Sequence, residues 1–221
     1  YPASTVKLAG AILALEKLTL LSIPCLNRKT PFRIRKNHFS QNLLESNNSA
    51  PGGVLTIENC IRQMFVVSDN DAYNHLYDWL GQRDLNERLW DRGYGDIRLT
   101  HRLGLEMSSE ENRHTNPVEF YQGEKIIYRQ SACYNQLDYR ASEPIHRGIA
   151  EIIDGERIDG PKDFSKSNMV SVQVLQDLLR AVVLPNSISS ERRFVLSESD
   201  RKFLMQMMSM LPRECVYPKY D

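Results

Sequence analysis

Two groups of residues carry chemistry by type and spacing. The first is Ser4 and Lys7, in Tyr1-Pro2-Ala3-Ser4-Thr5-Val6-Lys7. Residues three apart share a helix face, so a hydroxyl and an amine stand side by side. Leu8 to Leu15 is apolar on nearly every side, the pattern of a helix buried inside a protein. Burial disfavours a charged amine, which suits Lys7 to act as a base near neutral pH. A serine beside such a base is an activated nucleophile. The unpaired N–H groups at a helix N-terminus suit a developing oxyanion. Taken alone, the same pair reads equally well as an N-capping serine and a snorkelling lysine. The second group, Ser68-Asp69-Asn70, shifts the balance, because it lies in a turn between two apolar-striped helices where a serine can face a cleft.

Ser-x-x-Lys followed by Ser-Asp-Asn resembles the penicillin-recognising serine enzymes, most closely the class A β-lactamases. Ala72 and Asn74, which follow Asn70, resemble that family's next helix, and the separation of the motifs is similar. The resemblance implies a β-lactamase/DD-peptidase-like α/β fold: a helical lobe packed against an antiparallel sheet flanked by helices, with the site between them. It implies that Ser4 attacks an acyl carbonyl, Lys7 takes its proton and Ser68 relays a proton to the leaving nitrogen. Asn70 would hold the substrate's amide and orient Lys7, while Asp69 orders the turn. The backbone N–H of Ser4 would give half of an oxyanion hole.

Two family features match less well. The family's loop glutamate, which activates the deacylating water, has no clean counterpart. Counting from Ser68 lands at Gly104 to Glu106, and aligning on Asn112 puts Ser108 in its place. Glu106, Glu110 and Glu111 are the candidates, each also readable as a solvated loop carboxylate. The third motif, a strand bearing Lys-Thr-Gly, is not found; Lys29-Thr30-Pro31 and Lys166-Ser167-Asn168 are the nearest strings and stand in the wrong places. The chain therefore reads as a single β-lactamase-like domain, 1–221, without its N-terminal and C-terminal sheet strands, mostly helical lobe with little sheet. Residues 118–167 read as an insertion.

Of the elements that must position these residues, the first helix is expected from about Ser4 to Leu21, stopping before Pro24. Thr56 should cap a helix striped by Ile57, Ile61, Met64 and Phe65, leading to Ser68. The next helix should end at Gly81, and Asp84 should cap a short one after it. Ile97 to Asn116 should be irregular. Val118 to Arg129 reads as a hairpin turning at Gly123, followed by a polar, irregular stretch to Ser167 with turns at Asp154-Gly155 and Asp159-Gly160. Two helices close the pattern, the first carrying Leu175, Leu178, Leu179, Val182 and Val183. The second is capped by Ser197, with a Phe203 to Leu211 stripe that reads as core packing.

The 221 residues suffice for one domain with a real core. Apolar content of 41% and charged content of 25% are those of a soluble globular protein. Acidic and basic residues balance at 28 each, which argues against a nucleic-acid partner. The basic run Asn27 to Asn37 then reads as a solvated loop, as does the Asn/Ser/Gly/Pro-rich stretch Gln41 to Gly53. His38, His75, His101, His114 and His146 are scattered without metal-ligand spacing, so no metal and no cofactor are expected. Cys25, Cys60, Cys133 and Cys215 make no Cys-x-x-Cys pair and read as free thiols. The partner expected is a small-molecule or peptide substrate, with a monomer as the default. The resemblance implies a periplasmic or extracytoplasmic setting. The chain opens almost on Ser4, so it reads as a mature or trimmed fragment with any leader lost.

Three functions fit: an acyl-serine hydrolase of β-lactams, a relative acting on peptidoglycan peptides or another amide or ester, or a non-catalytic module that keeps the fold for binding.

Overall fold

A computed structural model describes residues 1–36, 50–139, 141, 143–217 and 219. His38 and most of the loop from Gln41 lie outside the described residues.

The fold is built around α1, Val6–Leu21, entered through a short 3-10 turn at Ala3–Thr5 and closed by Ser22 in a left-handed conformation (φ 50°). Every residue from Val6 to Leu18 is buried, as its all-round apolarity dictates. Two charges sit deep in it. Glu16, fully buried, meets Arg92 at 2.8 Å and accepts from the backbone N–H of Val195 at 2.9 Å. Lys17 donates to the carbonyl of Trp79 at 2.5 Å and to Gln130 Oε1 at 2.6 Å.

α2 (Ile57–Val66) starts where the Thr56 hydroxyl accepts from the N–H of Asn59. α3 (Asn70–Leu80) is capped by the Asp69 carboxylate, which accepts from Ala72 N, and ends at Gly81 (φ 81°). Lys7 meets Asn70 at one end and Lys17 meets Trp79 at the other, so α1 and α3 run side by side in the same direction. Gly10 allows the close approach: a β-carbon there would stand 3.2 Å from the Tyr73 ring. The two N-termini are thereby brought to one place. α4 (Gln82–Trp90) follows directly. Gly81 occupies its N-cap position, and Asp84 lies in its first turn rather than at the cap.

β1 (Phe32–Ile34) overturns the reading of Asn27 to Asn37 as a solvated loop. Phe32 and Ile34 point inward and are fully buried, while Arg33 between them pairs outward with Glu119 at 2.8 Å. The strand's alternation is short enough to vanish among the flanking charges. β1 pairs antiparallel with β3 (Val118–Gln122), which turns through Gly123 into β4 (Lys125–Gln130), the expected hairpin. Phe32, Phe120 and Trp79 pack ring against ring, 5.2 to 5.3 Å apart, fastening this sheet to the end of α3. Val118 and Phe120 thus lie in the core, whereas the later part of 118–167 is peripheral.

Between α4 and β3 the chain forms β2 (Ile97–Arg98) and a single helical turn, α5 (Ser109–Asn112), in the stretch expected to be irregular. After β4, the stretch read as irregular folds into two small antiparallel pairs, β5 (His146–Arg147) with β8 (Lys162–Asp163) and β6 (Ala150–Ile153) with β7 (Glu156–Asp159). The β6–β7 turn is Asp154-Gly155, both at positive φ, the backbone a tight hairpin needs. β9 (Met169–Val170) pairs with β2. α6 (Val172–Val183) and α7 (Glu198–Ser209) are capped by Ser171 and Ser197. All four cysteines are free; Cys60 and Cys215 are buried, Cys25 and Cys133 exposed.

Candidate active site

Lys7 is 2% exposed, and its amine sits where the starts of α1 and α3 meet. Its Nζ lies 3.1 Å from Ser4 Oγ, 3.1 Å from Ser68 Oγ, 2.6 Å from the Ser68 carbonyl and 2.8 Å from Asn70 Oδ1. Ser68 Oγ lies 2.8 Å from Ser4 Oγ. All four residues singled out in the sequence therefore share one hydrogen-bonded cluster.

The backbone makes this possible at some cost. Ser68 is held at φ 57°, which turns both its hydroxyl and its carbonyl toward Lys7, and Ala3, just before Ser4, is held at φ 46°. Left-handed non-glycine residues cost about 1–2 kcal/mol each and persist where surrounding structure fixes them. Here the Gln63 carbonyl accepts from the N–H groups of Val67 and Asp69, pinning the turn from both sides.

The partners also fix the amine's protonation logic. An ammonium has three protons, and four oxygens surround this one. The Ser68 carbonyl and Asn70 Oδ1 only accept. In the neutral amine they take its two N–H bonds, and the lone pair is left facing the two hydroxyls. Ser68 can then donate to Ser4, and Ser4 to Lys7. Burial pushes the Lys7 amine below its ordinary range, with the Asp69 carboxylate partly offsetting it. Asp69 itself is occupied in capping α3.

Ser4, Lys7 and Ser68 open into a cleft of about 570 Å³ whose other walls are mostly apolar, from Leu8, Met64 and Phe65 to Leu175 and Leu179 of α6, with Thr5 and Gln176 among them. None of the three candidate glutamates lines it. Glu110 pairs with Arg113 at 3.0 Å, and Glu111 closes a capping box with Ser108. Glu106 is exposed. The loop approaches the site instead at Leu103-Gly104. Asn74 holds Leu103 in both directions, donating to its carbonyl at 2.9 Å and accepting from its N–H at 2.8 Å. Gly104 (φ 68°) packs against the Asn70 amide.

Behind that loop lies a buried ion pair that sequence reading missed. Arg102 Nη2 donates to Asp78 Oδ1 at 2.7 Å and to the His114 carbonyl at 2.9 Å, with its guanidinium over the Tyr77 ring. Asn116 N donates to the same Asp78 oxygen. Only the charge of both residues within an otherwise apolar or loop context hinted at it.

The sequence matches the model of a family described as "Beta-lactamase enzyme family" over residues 1–209. The chain belongs to the β-lactamase enzyme family. Membership supports a β-lactamase-like serine hydrolase in broad class and agrees with an α/β fold in which helices predominate over small antiparallel sheets. No curated protein and no solved structure matches it. Among the described residues, no group of three or more His, Cys, Asp or Glu is placed to hold a metal ion, and no helix is long and apolar enough to cross a membrane.

Proposed function

We propose that the protein is an acyl-serine hydrolase with Ser4 as nucleophile, Lys7 as general base and Ser68 as proton relay. Ser4 Oγ attacks the carbonyl of an amide or ester, and its proton passes to Lys7. Ser68, in contact with both, delivers a proton to the leaving group as the tetrahedral intermediate collapses. Asn70 holds the substrate's amide while its Oδ1 orients Lys7, and the N–H of Ser4 supports the oxyanion. The observation that carries this reading is the placement of one buried amine within 3.1 Å of both hydroxyls.

β-Lactams are the first substrate class by family. A second reading, action on peptidoglycan peptides or another amide or ester with slow release of the acyl group, is favoured by one observation: among the described residues, no glutamate lines the cleft to activate a deacylating water. We place the enzyme outside the cytoplasm on family grounds.

Intact-protein mass measurement tests this. With a penicillin or cephalosporin, Ser4 should gain a long-lived acyl adduct that Ser4→Ala abolishes. Labelling at Ser4 by a general serine-hydrolase probe, with no β-lactam adduct, moves the substrate to the second class. No labelling by either reagent leaves a non-catalytic module.

A further inference from the structure

The wiring of the Lys7 amine recurs toward the other end of α1. Lys17, 8% exposed, donates to the Trp79 carbonyl at 2.5 Å and to Gln130 Oε1 at 2.6 Å. Gln130 is oriented for this, because its Nε2 donates to the same Trp79 carbonyl at 2.8 Å. A backbone carbonyl and a side-chain amide oxygen thus take two N–H bonds, as the Ser68 carbonyl and Asn70 Oδ1 do at Lys7. An ammonium has three protons, and among the described residues only these two oxygens accept from Lys17. One position on a nine-tenths-buried nitrogen is left open.

A cavity of about 340 Å³ lies beside it, lined by Lys17 and by Cys133, whose thiol is exposed. That volume falls in the range of small-molecule sites, about 300–1,000 Å³. Cys133 is fixed on both sides of its backbone: its N–H donates to the Thr115 hydroxyl, and its carbonyl accepts from the Thr115 N–H, each at 2.9 Å. Burial lowers the Lys17 amine to about 8, while the charges of Asp84 and Cys133 raise it and that of Arg88 lowers it, so amine and thiol act on one another. The other charged groups on the cavity wall are Arg83 and Arg113, paired with Glu87 and Glu110, and Asp84, which faces Arg88 at 3.5 Å. The N-terminus of α4 opens here too, with Gly81 at the cap position and no side chain capping it. A lysine amine and a helix N-terminus are the surroundings that make a thiol reactive, and both favour an anionic ligand.

We propose that Cys133 and Lys17 form a thiol-modification site, in which Cys133 takes up a small carboxylate-bearing thiol from its disulfide with Lys17 as proton acceptor. The thiol proton passes to Lys17, and Cys133 Sγ attacks one sulfur of the disulfide. The old S–S bond breaks as the new one forms. The departing thiolate then recovers the proton from Lys17, so one disulfide is consumed, one is made and one free thiol is released. The inference stands apart from the assignment of Ser4 as nucleophile.

The test treats the full chain with oxidised glutathione and, separately, with cystamine, a disulfide whose ends are cationic. Peptide mass follows Cys133, with the other exposed thiol, Cys25, as reference in the same molecule. Cys133 should take up glutathione about tenfold faster than Cys25, the gain expected of a thiol beside a basic group. The lead should shrink with cystamine. In Lys17→Met it should vanish, and the pH profile of labelling at Cys133 should take the shape of that at Cys25. Equal wild-type rates at the two cysteines refute the site, and so does a lead that persists in folded Lys17→Met, since exposure alone then explains it. A slower rate in Lys17→Met with a profile of unchanged shape makes Lys17 a structural residue and overturns its part. A lead that grows with cystamine overturns the anionic ligand. Should Lys17→Met fail to fold, the wild type decides: pH profiles that coincide at Cys133 and Cys25 refute the proposal.

Discussion

Gly104 stands against the side-chain amide of Asn70: a β-carbon added to Gly104 would lie 2.8 Å from Asn70 Nδ2. The nearest atom is the far end of a side chain, so Asn70 rather than the loop would give way. Because Asn70 Oδ1 accepts from Lys7, the displacement passes straight to the proposed base. Gly104→Ala should slow Ser4 acylation about tenfold or more, and the left-handed φ of 68° adds about 1–2 kcal/mol of strain. Acylation kinetics by intact mass, read beside a thermal melt, checks this; a variant that is destabilised but acylates at the wild-type rate contradicts it.

Lys7 must be neutral to accept a proton, and burial lowers its affinity for one. Acylation should therefore rise with pH as Lys7 deprotonates, with the midpoint below the ordinary lysine value of 10.5. Lys7→Arg keeps the charge and hydrogen bonds but offers no base, and should cost about a hundred- to ten-thousand-fold. A pH–rate profile of Ser4 labelling in both proteins decides, and a profile of unchanged shape in Lys7→Arg contradicts the role.

Lys17 makes a separate, purely structural pH prediction. Burial lowers its pKa to about 8, from an ordinary 10.5. Below about 8 the amine is charged in both folded and unfolded chains, and folding carries the full desolvation cost. Between about 8 and 10.5 only the unfolded chain keeps the proton, so stability should rise with pH, by at most about 3 kcal/mol. Urea melts across that window should show the rise relative to Lys17→Met, whose own profile cancels the other titrating groups.

Asp78→Ala leaves Arg102 buried without its carboxylate and removes the Asp78 oxygen that accepts from Asn116 N. Breaking such a pair costs about 3–5 kcal/mol. Amide exchange should quicken across residues 99–116, where Asp78 joins α3 to the loop. Unchanged protection there would show that Asn74 and Asn112 hold the loop alone.

The hydrogen-bonded cluster of the candidate site was legible because its signals are local. Ser4 and Lys7 lie within one helical turn, and Ser68 and Asn70 within one capping turn, so type and spacing suffice. The caps at Thr56 and Ser197 and the turn at Gly123 were legible for the same reason. What stayed hidden depends on distant partners. Asn86 bonds across 13 residues to Leu99, and Asn168 across 68 to Thr100, yet each is a lone amide in its own neighbourhood. β1 was lost because two inward residues, Phe32 and Ile34, are set in a run of arginines and lysines whose charge suggested solvent.

An evenly greasy rod such as α1 has no preferred rotational phase: turned about its axis, it buries the same oil. Adjacent side chains on it point about 100° apart, and Glu16 and Lys17 use that angle as two pegs, one toward Arg92 and one toward the end of α3. They set the azimuth of the whole rod, and with it the aim of a hydroxyl and an amine at its opposite end, about 15 Å from Lys17 to Lys7 along the axis.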